Sequence, residues 1–268
     1  MPSEDKNIKM SIDLLPEDRR KIIRDLLQKN GSVRTNHLAE QMNVNPATVR
    51  RDLREMAEQE KIRLVHGGAV IASPVRPVTT NFDLIAKRSA NREAKTQIAK
   101  KAINLISDGD IIALTSGSTV ELIVQHLPND FKALTIVTLS LNVAYLAAQL
   151  PYVNLIVPGG TFRRSSQTFI GTEARKFIST LRIDKGFFGA QAVDVNGGFT
   201  ESNLAEAEMN LTLTQVCAHL YLTADSSKFG NVALAHICDL DEFDGLIVDN
   251  DVPETVQSWA MATGVPLI

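Results

Sequence analysis

Cysteine is almost missing from this 268-residue chain: Cys217 and Cys238 are the only two. They lack metal-ligand spacing and no signal peptide precedes them, so a disulfide framework is excluded and a reducing, cytoplasmic setting is expected. Both are read as small buried hydrophobes. The five histidines fall in no clustered motif, so neither a metal site nor a cofactor is expected. No apolar run approaches the roughly 20 residues a membrane-crossing helix needs, which leaves no membrane partner. An excess of one charge sign is also lacking, for the formal net charge is −3 with 22% charged residues.

What charge there is lies unevenly. Residues 16–72 hold 11 Lys and Arg against 8 Asp and Glu, a net of +3, which leaves −6 for the remainder. Basic charge therefore gathers where phosphates would sit, as counterion release requires.

The same stretch carries the most informative pattern. Asn45 can accept a hydrogen bond at a helix start, and Pro46 at the first helical position loses nothing by lacking an N–H. Val49, Leu53 and Met56 recur at i, i+4 and i+7 as a buried stripe, which turns Ala47, Thr48, Arg50, Arg51 and Arg54 to other faces. Ahead of it, Thr35 is expected to cap a short helix with Leu38, Ala39 and Met42 inward, and Asn43-Val44 forms a tight link. Behind it, the apolar runs Ile62–Val65 and Ala69–Ala72 flank His66-Gly67-Gly68, whose glycines permit a hairpin turn. An arginine pair alone is usually a solvated face. The composite of two helices, tight turn and hairpin is a winged helix-turn-helix, and double-stranded operator DNA is its expected partner. Thr48 and Arg51 are expected at base edges and Arg50, Arg54 and Arg63 at phosphates, with Thr35, Ala47 and His66 completing the surface.

Four segments follow from composition and period. Residues 1–15 form a flexible arm, 16–72 the DNA-binding domain, and 73–90, with Pro74 and Pro77, a linker. From 91 to 268 short apolar strands alternate with helices, without repeats or low-complexity runs, so the second domain is α/β with a parallel sheet. Strands are expected at Ile111–Leu114, Leu134–Thr138, Val153–Val157, Lys185–Gly189, Leu220–Ala224, Gly245–Val248 and Val265–Ile268. Ligands in such sheets bind beyond the carboxyl ends of the strands. Small or polar residues collect there: Ser116-Gly117-Ser118-Thr119, Ser140, Gly159-Gly160 with Arg163 behind, Gln191, and Lys228. Each alone is equally a turn or a surface ion pair, but together they describe a pocket for a small polar anion.

The segments ATVRRDL and IRLVHGGA resemble the signature of the DeoR family of bacterial transcription regulators, and the similarity runs on through most of the chain. It departs at Leu64, where a second basic residue is common, and at Thr115, Leu139 and Asn210, where Asp, Asn and Lys are frequent. The resemblance implies that 91–268 is a sensor domain related in fold to ribose-5-phosphate isomerase and glucosamine-6-phosphate deaminase. It also implies that Ser116–Thr119 holds a phosphate, that Ser140 and Gly159-Gly160 line the pocket, and that Lys228 supplies a cation. A phosphorylated sugar is then the expected effector, and a homo-oligomer, dimer or tetramer, the expected state.

An aldose–ketose isomerase needs a base and an acid beside the carbonyl. In ribose-5-phosphate isomerase a segment resembling DGADEVD carries acidic residues; here Phe188 and Gln191 stand where two of its aspartates would be. Glu201, Glu206 and Glu208 remain to bind hydroxyls, so recognition without turnover is expected. The reading is a sugar-phosphate-responsive repressor of a carbohydrate catabolic operon, not an enzyme. The alternatives are an isomerase or deaminase with a DNA-binding appendage, and an architectural DNA-binding protein with no ligand.

Overall fold

The structure, a computed structural model, describes residues 15–30, 32–59, 62–65, 67–71, 76–77 and 88–268. The expected arm up to residue 14, His66, the Arg63 side chain and most of the 73–90 linker lie outside the described residues. The chain divides into two compact units, Met1–Ala72 and Ser73–Ile268.

The first unit runs α1 (Pro16–Asn30), β1 (Ser32–Arg34), α2 (Thr35–Met42), α3 (Pro46–Gln59), β2 (Ile62–Val65) and β3 (Gly68–Ile71). Its core joins Ile23 and Leu27 of α1, Leu38 of α2, and Val49, Leu53 and Met56 of α3. Between α2 and α3 the chain reverses at Asn43, which takes a left-handed φ of 52°. The Val44 N–H then donates to the Ala39 carbonyl at 2.9 Å, closing the end of α2. Asn45 Oδ1 accepts the Ala47 N–H at 2.8 Å, which caps the start of α3.

The wing has a third strand that the sequence reading missed: the sheet order is β1-β3-β2, all antiparallel. Gly67 supplies the positive φ of the hairpin turn. Gly68 has a different reason, because a Cβ there would lie 1.9 Å from the Val33 carbonyl oxygen of β1.

In the second unit β4 (Arg76–Pro77) pairs with β14 (Asn231–Val232) away from the main sheet. The chain then forms α4 (Arg92–Ile103), β5 (Ile111–Leu114), α5 (Ser118–Gln125), β6 (Leu134–Thr138), α6 (Leu141–Ala147) and β7 (Val153–Ile156). A hairpin of β8 (Thr161–Arg163) and β9 (Thr168–Ile170) leads to α7 (Thr172–Ile178) and β10 (Ile183–Gly189). Next come β11 (Ala192–Asp194), β12 (Gly198–Glu201), α8 (Leu204–Val216), β13 (Cys217–Ala224), β15 (Ala235–Cys238), β16 (Gly245–Val248) and α9 (Glu254–Thr263).

Six of these strands make one parallel sheet in the order β16-β13-β10-β5-β6-β7. Neighbouring residues along a strand fall into different clusters: Leu114, Ile136 and Phe187 in one, Ala113, Val137 and Phe188 in another. Both faces are therefore buried, which is why the strands read as continuous apolar runs. The order grows outward from β5 on one side and from β10 on the other, so the topological switch point lies between them. Val265–Ile268 contributes a single bridge, Leu246 to Leu267, instead of a full strand. The β8–β9 hairpin and the small β11-β12-β15 sheet were not foreseen, because their strands are too short for a period to show.

Candidate functional site

A first candidate surface lies on α3. Ala47, Arg50, Arg51 and Arg54 are exposed, and Thr48 is half-buried. Among the described residues Arg50 and Arg54 make no ion pair. Arg51, with a side chain 82% exposed, lies 3.1 Å from Glu55 one turn on. Beneath this face is an anchor that sequence reasoning missed. Asp52, 2% exposed, accepts from Arg19 of α1 at 2.7 and 3.1 Å, and Arg20 of α1 pairs with Glu55. Two arginines of α1 therefore spend their charge on holding α3, leaving the arginines of α3 itself turned outward. The signal was the acidic pair Asp52 and Glu55 at helical spacing within an arginine-rich helix.

Thr35 departs from its expected role. The N-cap of α2 is Arg34, whose side chain does not cap the helix, and Thr35 is the first helical residue, 4% exposed. Its N–H donates to the Gly67 carbonyl at 2.8 Å, so it ties the wing to α2. A side chain so buried has no surface to offer a duplex. Leu64 is 42% exposed.

A second candidate site lies at the switch point. The Thr115 N–H donates to the Phe187 carbonyl at 3.2 Å, and Thr115 Oγ1 accepts the Gly189 N–H at 2.8 Å, locking the ends of β5 and β10 together. A Cβ at Gly189 would lie 2.5 Å from the Ser116 carbonyl oxygen, and Gly117 sits at a φ of +132°. The loop leading into α5 thus needs glycine on both sides. Its hydroxyls separate. Ser116 lines an inner recess with Thr115, Thr168, Glu206 and Asn210, whereas Ser118 lines an outer cleft of about 340 Å³ with Arg88, Arg92, Glu121 and Asn142. Thr119 is 7% exposed. In the outer cleft Arg88 clasps Glu121 at 2.8 and 3.0 Å.

The other expected pocket residues have local engagements, and neither hollow is lined by Ser140, Gly159, Gly160, Arg163, Gln191, Glu201 or Lys228. Ser140, 1% exposed, caps α6 by accepting the Val143 N–H at 3.4 Å. At Gly160 a Cβ would meet the Ile170 carbonyl oxygen at 2.6 Å, so glycine there serves the β8–β9 hairpin; Gly159 is exposed. Arg163 stands 3.2 Å from Glu206 and also contacts Ser165, which spends the cation expected for a ligand. Gln191 Oε1 and Glu201 Oε1 both accept the Ser202 N–H, at 3.0 and 2.7 Å. Lys228 lies 3.9 Å from Asp225, which is fully buried. Burial would raise the Asp225 carboxyl, but Ser227, Lys228, Asn91 and Lys95 outweigh it and hold the group below the usual carboxylate range.

Phe188 packs in the interior against Phe199 and Phe243, with ring centroids 6.3 and 5.8 Å away. Cys217 and Cys238 are pushed up to about 12 by burial, which suits inert thiols. No helix among the described residues is long and apolar enough to cross a membrane. Nor does any group of His, Cys, Asp and Glu among them suit a metal ion.

Comparison with known proteins adds the family. Residues 90–250 match the DeoR C terminal sensor domain, and residues 19–75 match the DeoR-like helix-turn-helix domain. The chain is 34% identical over 236 residues to the lactose phosphotransferase system repressor of Staphylococcus epidermidis, covering 87% of this chain and 92% of that protein. It is 32% identical over 232 residues to the glycerol-3-phosphate regulon repressor of Escherichia coli K12, covering 87% and 90%. Among solved structures, ribose 5-phosphate isomerase A of Methanocaldococcus jannaschii aligns at a TM-score of 0.40 and 20% identity, over 52% of this chain and 55% of that one.

Proposed function

The chain belongs to the DeoR family of transcriptional regulators, and from that premise we propose that it represses a carbohydrate catabolic operon and leaves its operator when a phosphorylated sugar binds. One observation carries the reading. A helix-turn-helix presenting Arg50, Arg51 and Arg54 is joined in one chain to a parallel sheet whose Ser116–Thr119 loop sits at the switch point. Its relatives are repressors and not enzymes, so the isomerase reading is not carried forward.

In this reading α3 enters the major groove, Thr48 and Arg51 contact base edges, and Arg50, Arg54 and Arg63 contact phosphates. The amides of the Ser116–Thr119 loop, with the Ser116 hydroxyl on the inner recess, receive the ligand's phosphate. Release from DNA is linkage: the effector prefers one state of a homo-oligomer, and an operator with half-sites about 34 Å apart, or a multiple, prefers another. A coupling of about 1–3 kcal/mol changes operator affinity roughly 5- to 150-fold. The test is an operator-binding assay titrated with sugar phosphates and with crude cell extract. A loss of binding in that range supports the switch; no change with any of them sinks it.

A further inference from the structure

Of the carboxylates lining the two hollows, Glu121 is clasped by Arg88, whereas the bonding of Glu206 is incomplete. It sits in the first turn of α8, where Asn203 Oδ1 accepts its backbone N–H at 3.2 Å and caps the helix. The residue is only 6% exposed, yet its Oε1 receives no hydrogen bond among the described residues. Arg163 balances the charge from 3.2 Å without the alignment of a hydrogen bond. A buried carboxylate oxygen left in this state is costly, because it has given up water and gained no donor.

The recess beside it has room for about one water-sized group, with Ser116, Thr168 and Asn210 as further polar walls and Leu139 and Met209 as apolar ones. Ser116 belongs to the loop assigned above to the ligand's phosphate, so the carboxylate shares a recess with one end of that loop. An oxygen already negative and short of a donor repels carbonyl, ether and phosphate oxygens. It accepts a hydroxyl or an ammonium group.

We propose that Glu206 reads the effector's pattern of hydrogen-bond donors: it binds one hydroxyl or amino group of the phosphorylated sugar and rejects analogues lacking a donor there. This rests on the effector reading given above. A site built to bond a donor discriminates more sharply than an apolar wall, because the analogue without it leaves the carboxylate unpaired. Phe188, packed into the interior against Phe199 and Phe243, then has no part in choosing the sugar.

The experiment is calorimetric binding to the full chain, wild type and Glu206→Gln, with four probes: ribose 5-phosphate, glucose 6-phosphate, glucosamine 6-phosphate and inorganic phosphate. Any sugar phosphate that binds the wild type is expected to lose about 10- to 100-fold in the variant. Inorganic phosphate, which reads the loop alone, should change less than about twofold. A preference for glucosamine 6-phosphate over glucose 6-phosphate that vanishes in Glu206→Gln assigns the donor as ammonium; a loss shared by both assigns it as hydroxyl. Unchanged sugar-phosphate affinity in the variant overturns the inference and leaves the effector reading intact. Equal loss of sugar phosphates and inorganic phosphate also overturns it, since Glu206 would then only brace the loop. Failure of every probe to bind the wild type brings down the effector reading and this inference with it. If circular dichroism shows the variant unfolded, single-position deoxy analogues on the wild type decide: parent and all deoxy forms binding alike overturns the proposal.

Discussion

The two units expose their chemistry by opposite means. In the first, one helix carries most of the candidate surface: Arg50, Arg51 and Arg54 stand outward on α3, Arg51 beside Glu55, while Asp52 and Glu55 on the same helix are gripped by Arg19 and Arg20 of α1. In the second, the candidate residues come from separate strand ends, and most are already engaged with one another. Thr115 holds Gly189, Arg163 faces Glu206, Gln191 and Glu201 share Ser202, and Lys228 lies near Asp225. A surface for a large polyanion needs cations free to meet it, and a helix provides them locally. A pocket for a small molecule needs preorganised groups, and preorganisation means each is held by another. A residue read as a ligand contact in the second unit is for that reason often a brace.

Substitutions can break this contrast or sharpen it. The largest effect is expected from Asp52→Asn, which puts a neutral amide in place of the carboxylate that grips the largely buried Arg19 guanidinium. Removing one partner of such a pair should cost about 3 kcal/mol. Denaturant unfolding would read it as early loss of the first unit, and a change under about 0.5 kcal/mol would mean the apolar core alone holds α3.

Arg51→Ala is expected to cost about 1–3 kcal/mol at one operator position and to relax preference there. Arg50→Ala should weaken all sequences alike and flatten the slope of log affinity against log salt by roughly 0.9. Identical behaviour of the two variants, measured by salt-dependent titration on matched and mutated operators, would remove the distinction between base and phosphate contacts on α3.

In the second unit Gly117→Ala forces a side chain onto a φ of +132° without a steric clash, since the nearest atom is 3.9 Å from the added Cβ. The strain should be about 1–3 kcal/mol, and it falls on the loop. Operator binding should persist while the response to sugar phosphate disappears. A variant that still responds would show that the loop conformation is not what the ligand reads.

The smallest effect concerns pH. The carboxyl of Asp225 is held below its ordinary range in the folded chain, so its stabilisation is complete above the unfolded value near 3.9 and is lost as pH falls through the folded one. The stability difference between wild type and Asp225→Asn should therefore be greatest near neutrality and shrink on acidification below about pH 4. A difference that stays level with pH would place the role of Asp225 in shape and not in charge.

Legibility followed the same divide. The start of α3 was readable because Asn45 and Pro46 act within one turn. The strands β5 and β16 were readable because burial on both faces leaves an unbroken apolar run. β1 and the β8–β9 hairpin were not, since three residues carry no period, and β1 moreover pairs with the distant β3. Thr35 looked like a cap because threonine favours that place, but the wing covers it.

Local chemistry in the amino-acid order was enough to establish a helix-turn-helix with outward arginines, an α/β unit behind it, and a Ser-Gly-Ser-Thr turn at a strand end, for each depends on neighbours within a few positions. Tertiary structure alone decided which of those side chains are spent. Arg19 meets Asp52 across 33 residues, Arg163 is set against Glu206, and Phe188 turns inward to Phe199 and Phe243. Such pairings arise when distant elements pack, and the free energy of an ionised or aromatic group depends on what it finally touches. Spacing along the chain does not encode that.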